Sequence, residues 1–174
     1  MFPETDVRYR IDSSDQITFV GAAWDKFAQE NDGSELEGRQ LIGRSLWDFI
    51  SDDATRQLYR QIIARARQGA PAQFKLRCDA PSCKRLLQMT VSSDDSGGVE
   101  FITHSLESER RAAVPLLART TGRSDRLVTL CSWCNRIDIG ASEWVEVEVA
   151  VEKLRLFDDD QQPQLTHGMC AECY

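Results

Sequence analysis

The sequence predicts an α+β protein: a five-stranded antiparallel sheet with helices on one face, plus a small C-terminal module in which four cysteines bind a metal. Three observations predict it. Two alternating segments open the chain and three more follow a helical stretch, an order that suits one antiparallel sheet with its helices segregated to a face. Four cysteines close the chain in two identically spaced pairs, Cys131-Ser132-Trp133-Cys134 and Cys170-Ala171-Glu172-Cys173. The length of 174 residues, with 41% hydrophobic and 28% charged residues, fits a domain with an appendage.

The elements follow in order. Val7 to Ile11 and Gln16 to Val20 alternate apolar and polar residues around Asp12-Ser13-Ser14-Asp15, which predicts a hairpin. From Ala22 to Glu30 the residues Ala23, Trp24, Phe27 and Ala28 share a helical face, and Asn31-Asp32-Gly33 closes it. Leu41 to Ile50 reads as a turn into a short buried helix. Ser51-Asp52-Asp53 offers N-cap oxygens to a longer helix over 54–68, whose apolar face is Leu58, Ile62, Ile63 and Ala66 and which Gly69-Ala70-Pro71 stops. Strands follow over 72–78, 85–92 and 98–105, the last two joined by a turn at Asp94-Asp95-Ser96-Gly97.

Residues 106–120 read as a connector, helical or extended with one apolar side, in which Pro115 argues against an uninterrupted helix. Thr121-Gly122-Arg123-Ser124-Asp125 marks a second boundary. A short strand is expected over 127–130 and a helix over 147–156, although Val145, Val147, Val149 and Val151 also alternate as in a strand. Asp158, Asp159 and Asp160 then read as a solvated loop, since calcium loops need defined ligand spacing and a bidentate Glu. The resulting division is a domain over 5–106, a connector over 107–126 and a cysteine module over 127–174.

Over 5–106 the order of elements resembles a PAS domain. The residues carrying the resemblance are Tyr9-Arg10-Ile11-Asp12, Phe19-Val20-Gly21-Ala22-Ala23-Trp24, Gly43-Arg44-Ser45-Leu46-Trp47-Asp48-Phe49-Ile50 and the three closing strands. The resemblance implies a sensory or interaction domain able to enclose a small ligand between sheet and helices. Its identity is unknown, and Trp24, Phe27, Trp47, Phe49, Ile62 and Phe101 are the candidate pocket residues. Aromatic and aliphatic side chains at such spacing are also what an ordinary core needs. No flavin-adduct motif of the Asn-Cys-Arg-Phe-Leu-Gln type is present.

A Cys-x-x-Cys turn lets two sulfurs converge on one ion, and two such turns complete a tetrahedron. Cys131, Cys134, Cys170 and Cys173 are therefore read as ligands of a structural zinc ion, with a rubredoxin-like iron or a bare dithiol pair as the rivals. Such a metal would tie down a chain end that is otherwise loose. His167, three residues before Cys170, is read as a residue outside the ligand set that hydrogen-bonds near the thiolates. Cys131-Ser132-Trp133-Cys134-Asn135-Arg136-Ile137, Glu143-Trp144 and Thr166-His167-Gly168-Met169-Cys170-Ala171-Glu172-Cys173 together resemble a short module of bacterial two-component signalling proteins. That resemblance covers 127–174 and implies signalling company rather than an activity. His104, on a predicted strand, reads as packed or solvent-facing rather than as a haem ligand. Cys78 and Cys83, flanking Asp79-Ala80-Pro81-Ser82, read as reduced thiols outside the metal set.

The remaining composition narrows the function. No stretch approaches about 20 apolar residues and residues 1–6 lack a basic start, so the expectation is a cytoplasmic protein with no membrane partner. A formal charge of −7 argues against nucleic acid as a general partner. No nucleophile elbow, phosphate-cradling glycine loop or His-Glu metal motif appears, and four thiolates leave a metal no open position. The expected function is thus non-enzymatic signal transduction, with a partner protein or a second copy as the receiver. Two alternatives stay open: thiol redox chemistry at the Cys-x-x-Cys pairs, and nucleic-acid binding by a zinc ribbon through Arg119, Arg123, Arg126 and Arg136.

Overall fold

The computed structural model describes residues 6–30, 36–94, 96–118, 122–156 and 161–174. The expected helix stop at Asn31-Asp32-Gly33, the residues Asp95, Arg119 and Phe157, and the acidic run of Asp158, Asp159 and Asp160 lie outside them. The chain divides into two compact units, Met1–Leu76 with Leu86–Leu106, and Arg77–Arg85 with Glu107–Tyr174.

The first unit opens with the hairpin β1 (Val7–Ile11) and β2 (Ile17–Val20). Its turn is built by the Asp12 carboxylate, which accepts from the backbone N–H groups of Ser14 at 2.8 Å and Gln16 at 3.0 Å. This is the local competition by an Asp side chain that favours turns over helix. Helices α1 (Ala23–Glu30), α2 (Gly38–Leu41) and α3 (Asp53–Arg67) follow, with a 3-10 turn at Leu46–Phe49 before the last. α2 carries no periodic pattern in the sequence and was not expected. The cap of α3 falls on Asp52, whose carboxylate accepts from Thr55 N–H at 2.8 Å. Its C-terminus closes by two backbone bonds, Gly69 N–H to Ala66 O at 2.9 Å and Ala70 N–H to Arg65 O at 3.0 Å, with Gly69 at φ +79°. That is the Schellman arrangement, in which glycine takes the left-handed position without a Cβ penalty.

Strands β3 (Ala72–Arg77), β4 (Cys83–Ser93) and β5 (Val99–Arg110) complete a five-stranded antiparallel sheet in the order β2-β1-β5-β4-β3. A sheet whose helices all fall between its second and third strands is the arrangement that the PAS resemblance implies. β1 pairs with β5 in register, Tyr9 opposite Phe101 and Arg10 opposite Glu100. Period-two alternation sends the first pair to one face and the second to the other. On the inner face Tyr9 stacks on Phe101 with centroids 4.5 Å apart, Trp24 of α1 meets Tyr9 edge-on at 5.8 Å, and Tyr59 of α3 lies 6.3 Å from Phe101. On the outer face Arg8 and Arg10 each donate to Glu100 Oε1 at 2.8 Å.

Phe101 is fully buried at the centre of this stack. Phe101→Leu keeps the apolar character but removes both ring contacts, and is expected to lower the unfolding free energy by about 1–2 kcal/mol. Urea denaturation followed by tryptophan fluorescence measures it, and an unchanged midpoint would show the stack to be energetically idle.

The second unit is built on β6 (Arg123–Cys131), flanked by the parallel strand β9 (Gln162–Gly168) on one side and by β7 (Ile137–Asp138) and β8 (Trp144–Val145) on the other. Helix α4 (Val147–Lys153) contributes Val147, Ala150 and Val151 to a core with Val114, Leu116, Val128, Leu130, Ile137 and Leu156. Two expectations are corrected here. Residues 107–126 do not form a connector between units but belong to the second. β5 runs on to Arg110, Val114 and Leu116 are core, and the Arg123 guanidinium donates to the carbonyls of Leu116, Ala118 and Pro163. The predicted helix over 147–156 ends three residues early, because Arg155 takes a left-handed φ of +51°.

The loop between β3 and β4 also belongs to this unit. It is fastened by charge: Asp79 meets Arg77 and, at 3.3 Å, Arg111, while Arg77 reaches Glu146 at 2.7 Å. Arg111 and Lys84 each reach Glu148 at 3.0 Å. No helix among the described residues is long and apolar enough to cross a membrane.

Candidate metal centre

The four paired cysteines converge. Cys131 ends β6 and Cys170 follows β9, and because those strands run parallel with Cys131 opposite Gly168, the two Cys-x-x-Cys turns emerge side by side at one end of the sheet. The first turn is held by Cys131 N–H to Arg136 O at 2.8 Å and Asn135 N–H to Cys131 O at 3.0 Å, with Asn135 at φ +58°. The second is held by the N–H groups of Cys173 and Tyr174, both donating to Cys170 O at 3.0 Å. Ser132 N–H to Gly168 O at 2.9 Å, and an ion pair from Arg136 to Glu172, join one turn to the other. A Cβ on Gly168 would stand 3.1 Å from the Thr129 methyl, so any larger residue there would push that methyl aside.

All four sulfurs lie within 4.8 Å of one another, with Cys131 and Cys170 buried and Cys134 and Cys173 half-buried. Four thiolates each about 2.3 Å from one ion stand about 3.8 Å apart, and Cys134 Sγ lies 3.7 Å from Cys170 Sγ. The electrostatics suit the same purpose. Burial opposes ionisation of Cys131, but the N–H groups of Cys170, Cys134 and Trp133 directed at its sulfur prevail and hold its thiol below the usual value. Burial pushes Cys134 up to about 11 against the Arg136 N–H, and burial together with the neighbouring Cys170 and Cys134 sulfurs pushes Cys173 up as well. Four such groups cannot all ionise side by side unaided, and a divalent cation supplies the missing charge. The donor set therefore fits a metal.

The other candidate residues fall elsewhere. His167 is exposed on β9 opposite Leu130 and stands outside the sulfur cluster. His104 places Nδ1 2.7 Å from Asp6 Oδ1, a packed histidine. Cys78 and Cys83 are free thiols, the latter 3.1 Å from Ser108 Oγ, and burial raises the Cys78 thiol.

Of the six pocket candidates, Ile62 and Phe101 are buried core and Trp24 is half-buried, its indole donating to Leu36 O at 2.7 Å. Phe27 is half-buried on α1. Trp47 is half-buried as well, whereas Phe49 is not. Trp47 donates to Asp15 Oδ2 at 2.9 Å beneath Arg60, and Phe49 is 36% exposed beneath the Arg44 guanidinium at 4.5 Å. A 3-10 turn buries only Leu46 of its four residues, which overturns the expected short buried helix. Of the arginines, Arg123 donates to three carbonyls and Arg136 faces Glu172 and Glu146.

Neither a family model nor a curated protein matches the chain. Solved structures do, at low identity. One is the PAS domain of the RpfR quorum-sensing receptor from Cronobacter turicensis in complex with C12:0, at 10% identity, over 62% of this chain and 99% of that one, with a TM-score of 0.42. Another is the PAS domain of an HTR-like protein from Haloarcula marismortui, at 16% identity, over 58% and 86%, with a TM-score of 0.37. A third is the Aer2 receptor from Vibrio cholerae, a dual PAS-heme oxygen sensor, at 15% identity, over 59% and 96%, with a TM-score of 0.40. Likenesses below a TM-score of 0.5 say nothing of ligand or signal, and the account of the sheet rests on its own strand order.

Proposed function

We propose that the chain is a non-enzymatic bacterial signal-transduction protein, in which a PAS-like sensory or interaction unit is coupled to a unit held together by structural zinc. The observation that carries the reading is the closed set of four sulfurs within 4.8 Å, drawn from a strand end and the chain end. A four-thiolate shell presents no open position at which water or substrate could be activated, and zinc bound there acts as a cross-link. What the cluster does for the molecule is then mechanical. It fixes β9 against β6 and sets the register of the unit, while the sheet of the first unit is left to receive a signal and pass it to a partner protein or a second copy.

The thiol-redox alternative meets an obstacle in acidity, since the half-buried member of each pair, Cys134 and Cys173, has its thiol pushed up and reactive thiols are held low. Native mass spectrometry of the purified protein tests the proposal, because metal content, oligomeric state and retained partners appear in one spectrum. One zinc per chain together with a dimer or a bound partner is expected. A metal-free monomer with a Cys-Cys disulfide would overturn it in favour of redox chemistry.

A further inference from the structure

Two guanidinium groups lie over aromatic rings at the 3-10 turn of the first unit. That of Arg60, on α3, stands 5.0 Å from the centre of the Trp47 ring, and that of Arg44 stands 4.5 Å from the centre of the Phe49 ring. Trp47 is held from two sides: its indole donates to Asp15 Oδ2 at 2.9 Å, and its carbonyl accepts from Arg56 Nη2 at 2.8 Å. The ring is therefore a fixed platform, and a guanidinium resting on it loses little further freedom when a ligand binds. Neither of the two arginines is neutralised. Arg60 is exposed and has no carboxylate within ion-pair distance among the described residues. Arg44 reaches Asp48 at 3.6 Å, with both side chains open to water, and solvent screens such a pair. Beside them Ile42 and Phe49 are large apolar side chains 48% and 36% exposed. Aromatic side chains and arginine are what protein interfaces enrich.

We infer that this surface binds an acidic segment of a partner protein, whose carboxylates take the N–H groups of Arg44 and Arg60 and whose apolar side chains cover Phe49 and Ile42. Charge selects the partner, since a guanidinium presents a planar fork of donors that a carboxylate matches. Nucleic acid fits less well. Each ring already has a guanidinium over it where a base would stack, and the formal charge of −7 repels a polyanion beyond the patch. The inference rests on the reading of the chain as one that acts through a partner protein, and it supplies the chemistry of that partner.

The test is an NMR titration of the zinc-loaded full chain with a short peptide of alternating glutamate and leucine, its glutamine and lysine counterparts, and a short oligothymidylate. The glutamate peptide is expected to shift the amides of residues 42–49 and 60 and the Trp47 indole, and the glutamine peptide to leave them in place. Arg44→Gln alone is expected to weaken the glutamate peptide about threefold, in line with one exposed ion pair. Arg44→Glu combined with Arg60→Glu, both at exposed positions, is expected to abolish its binding and to admit the lysine peptide instead, with the rest of the spectrum native. Equal shifts from the glutamine peptide, tighter binding of the oligothymidylate, or shifts of the same residues on raising protein concentration without peptide would each overturn the assignment. So would shifts that survive the double replacement. No shift at millimolar glutamate peptide, with a partner still retained in the native mass spectrum, would overturn this surface and leave the proposed function standing.

Discussion

Cys170→Ser is expected to unfold the second unit while the first keeps its structure. Cys170 is almost fully buried, its N–H donates to Cys131 Sγ at 3.5 Å, and its carbonyl accepts the two bonds that make the C-terminal turn. Serine offers a harder, shorter ligand, and the chain end beyond β9 is released. A unit composed of residues 77–85 and 107–174 lies near the size, about 70–80 residues, below which a single apolar core rarely suffices. Structural zinc contributes roughly 10–16 kcal/mol of apparent binding free energy in small modules near neutral pH, more than such a core supplies. Hydrogen exchange should show loss of protection over 123–131 and 162–168 and retention over 7–11 and 99–103. Removing metal from the wild-type chain with a strong chelator should reproduce the pattern, whereas Cys83→Ser, outside the cluster, should not. Full protection of β9 in chelator-treated protein would mean that the strand pair holds without a metal.

Much of the first unit was legible because its signals are local. Asp12 builds its turn from neighbouring N–H groups, Asp52 caps α3 three residues ahead, and Gly69 ends it. The cysteine set was legible for the same reason, since each pair is four residues long and the chemistry of thiolates does the rest. β9 was not, and the cause is Pro163. A proline in a seven-residue stretch of mixed polarity argues against a strand. It is tolerated here because β9 is an edge strand and Pro163 falls where the β6–β9 register is irregular, between the pairs Arg123–Gln162 and Leu127–Gln164. Phe49 misled in the opposite direction, because an aromatic side chain on a short turn can lie under an arginine at the surface instead of in the core. Least legible of all were Asp79, Arg111 and Glu148. Scattered along the chain they look like ordinary solvated charges, and only the fold brings them within ion-pair distance.

Those charges carry the second large effect: Asp79→Ala is expected to destabilise the second unit by about 3–5 kcal/mol, the usual cost of breaking a buried ion pair from one side. The Asp79 side chain is 0% exposed and that of Arg111 only 7%. Removing the carboxylate withdraws an acceptor from Arg77, from Arg111 and from the Arg85 N–H, which donates to Asp79 Oδ1 at 3.2 Å. Arg111 keeps Glu148 and two carbonyls, but a guanidinium this deeply buried cannot recover solvation from water. The size of the loss measures the uncompensated cation rather than the worth of the pair. That distinction is testable. Asp79→Leu combined with Arg111→Met replaces both charges with apolar volume and should cost less than Asp79→Ala alone. Glu172→Gln, which removes the acceptor of Arg136 at a carboxylate 75% exposed to water, should change stability by no more than about 0.5 kcal/mol, because solvent screens such a pair. Chemical denaturation of the zinc-loaded protein reads all three. If the double replacement cost more than Asp79→Ala, the buried charges would be contributing net attraction, and their role in fastening the β3–β4 loop to α4 would be energetic as well as geometric.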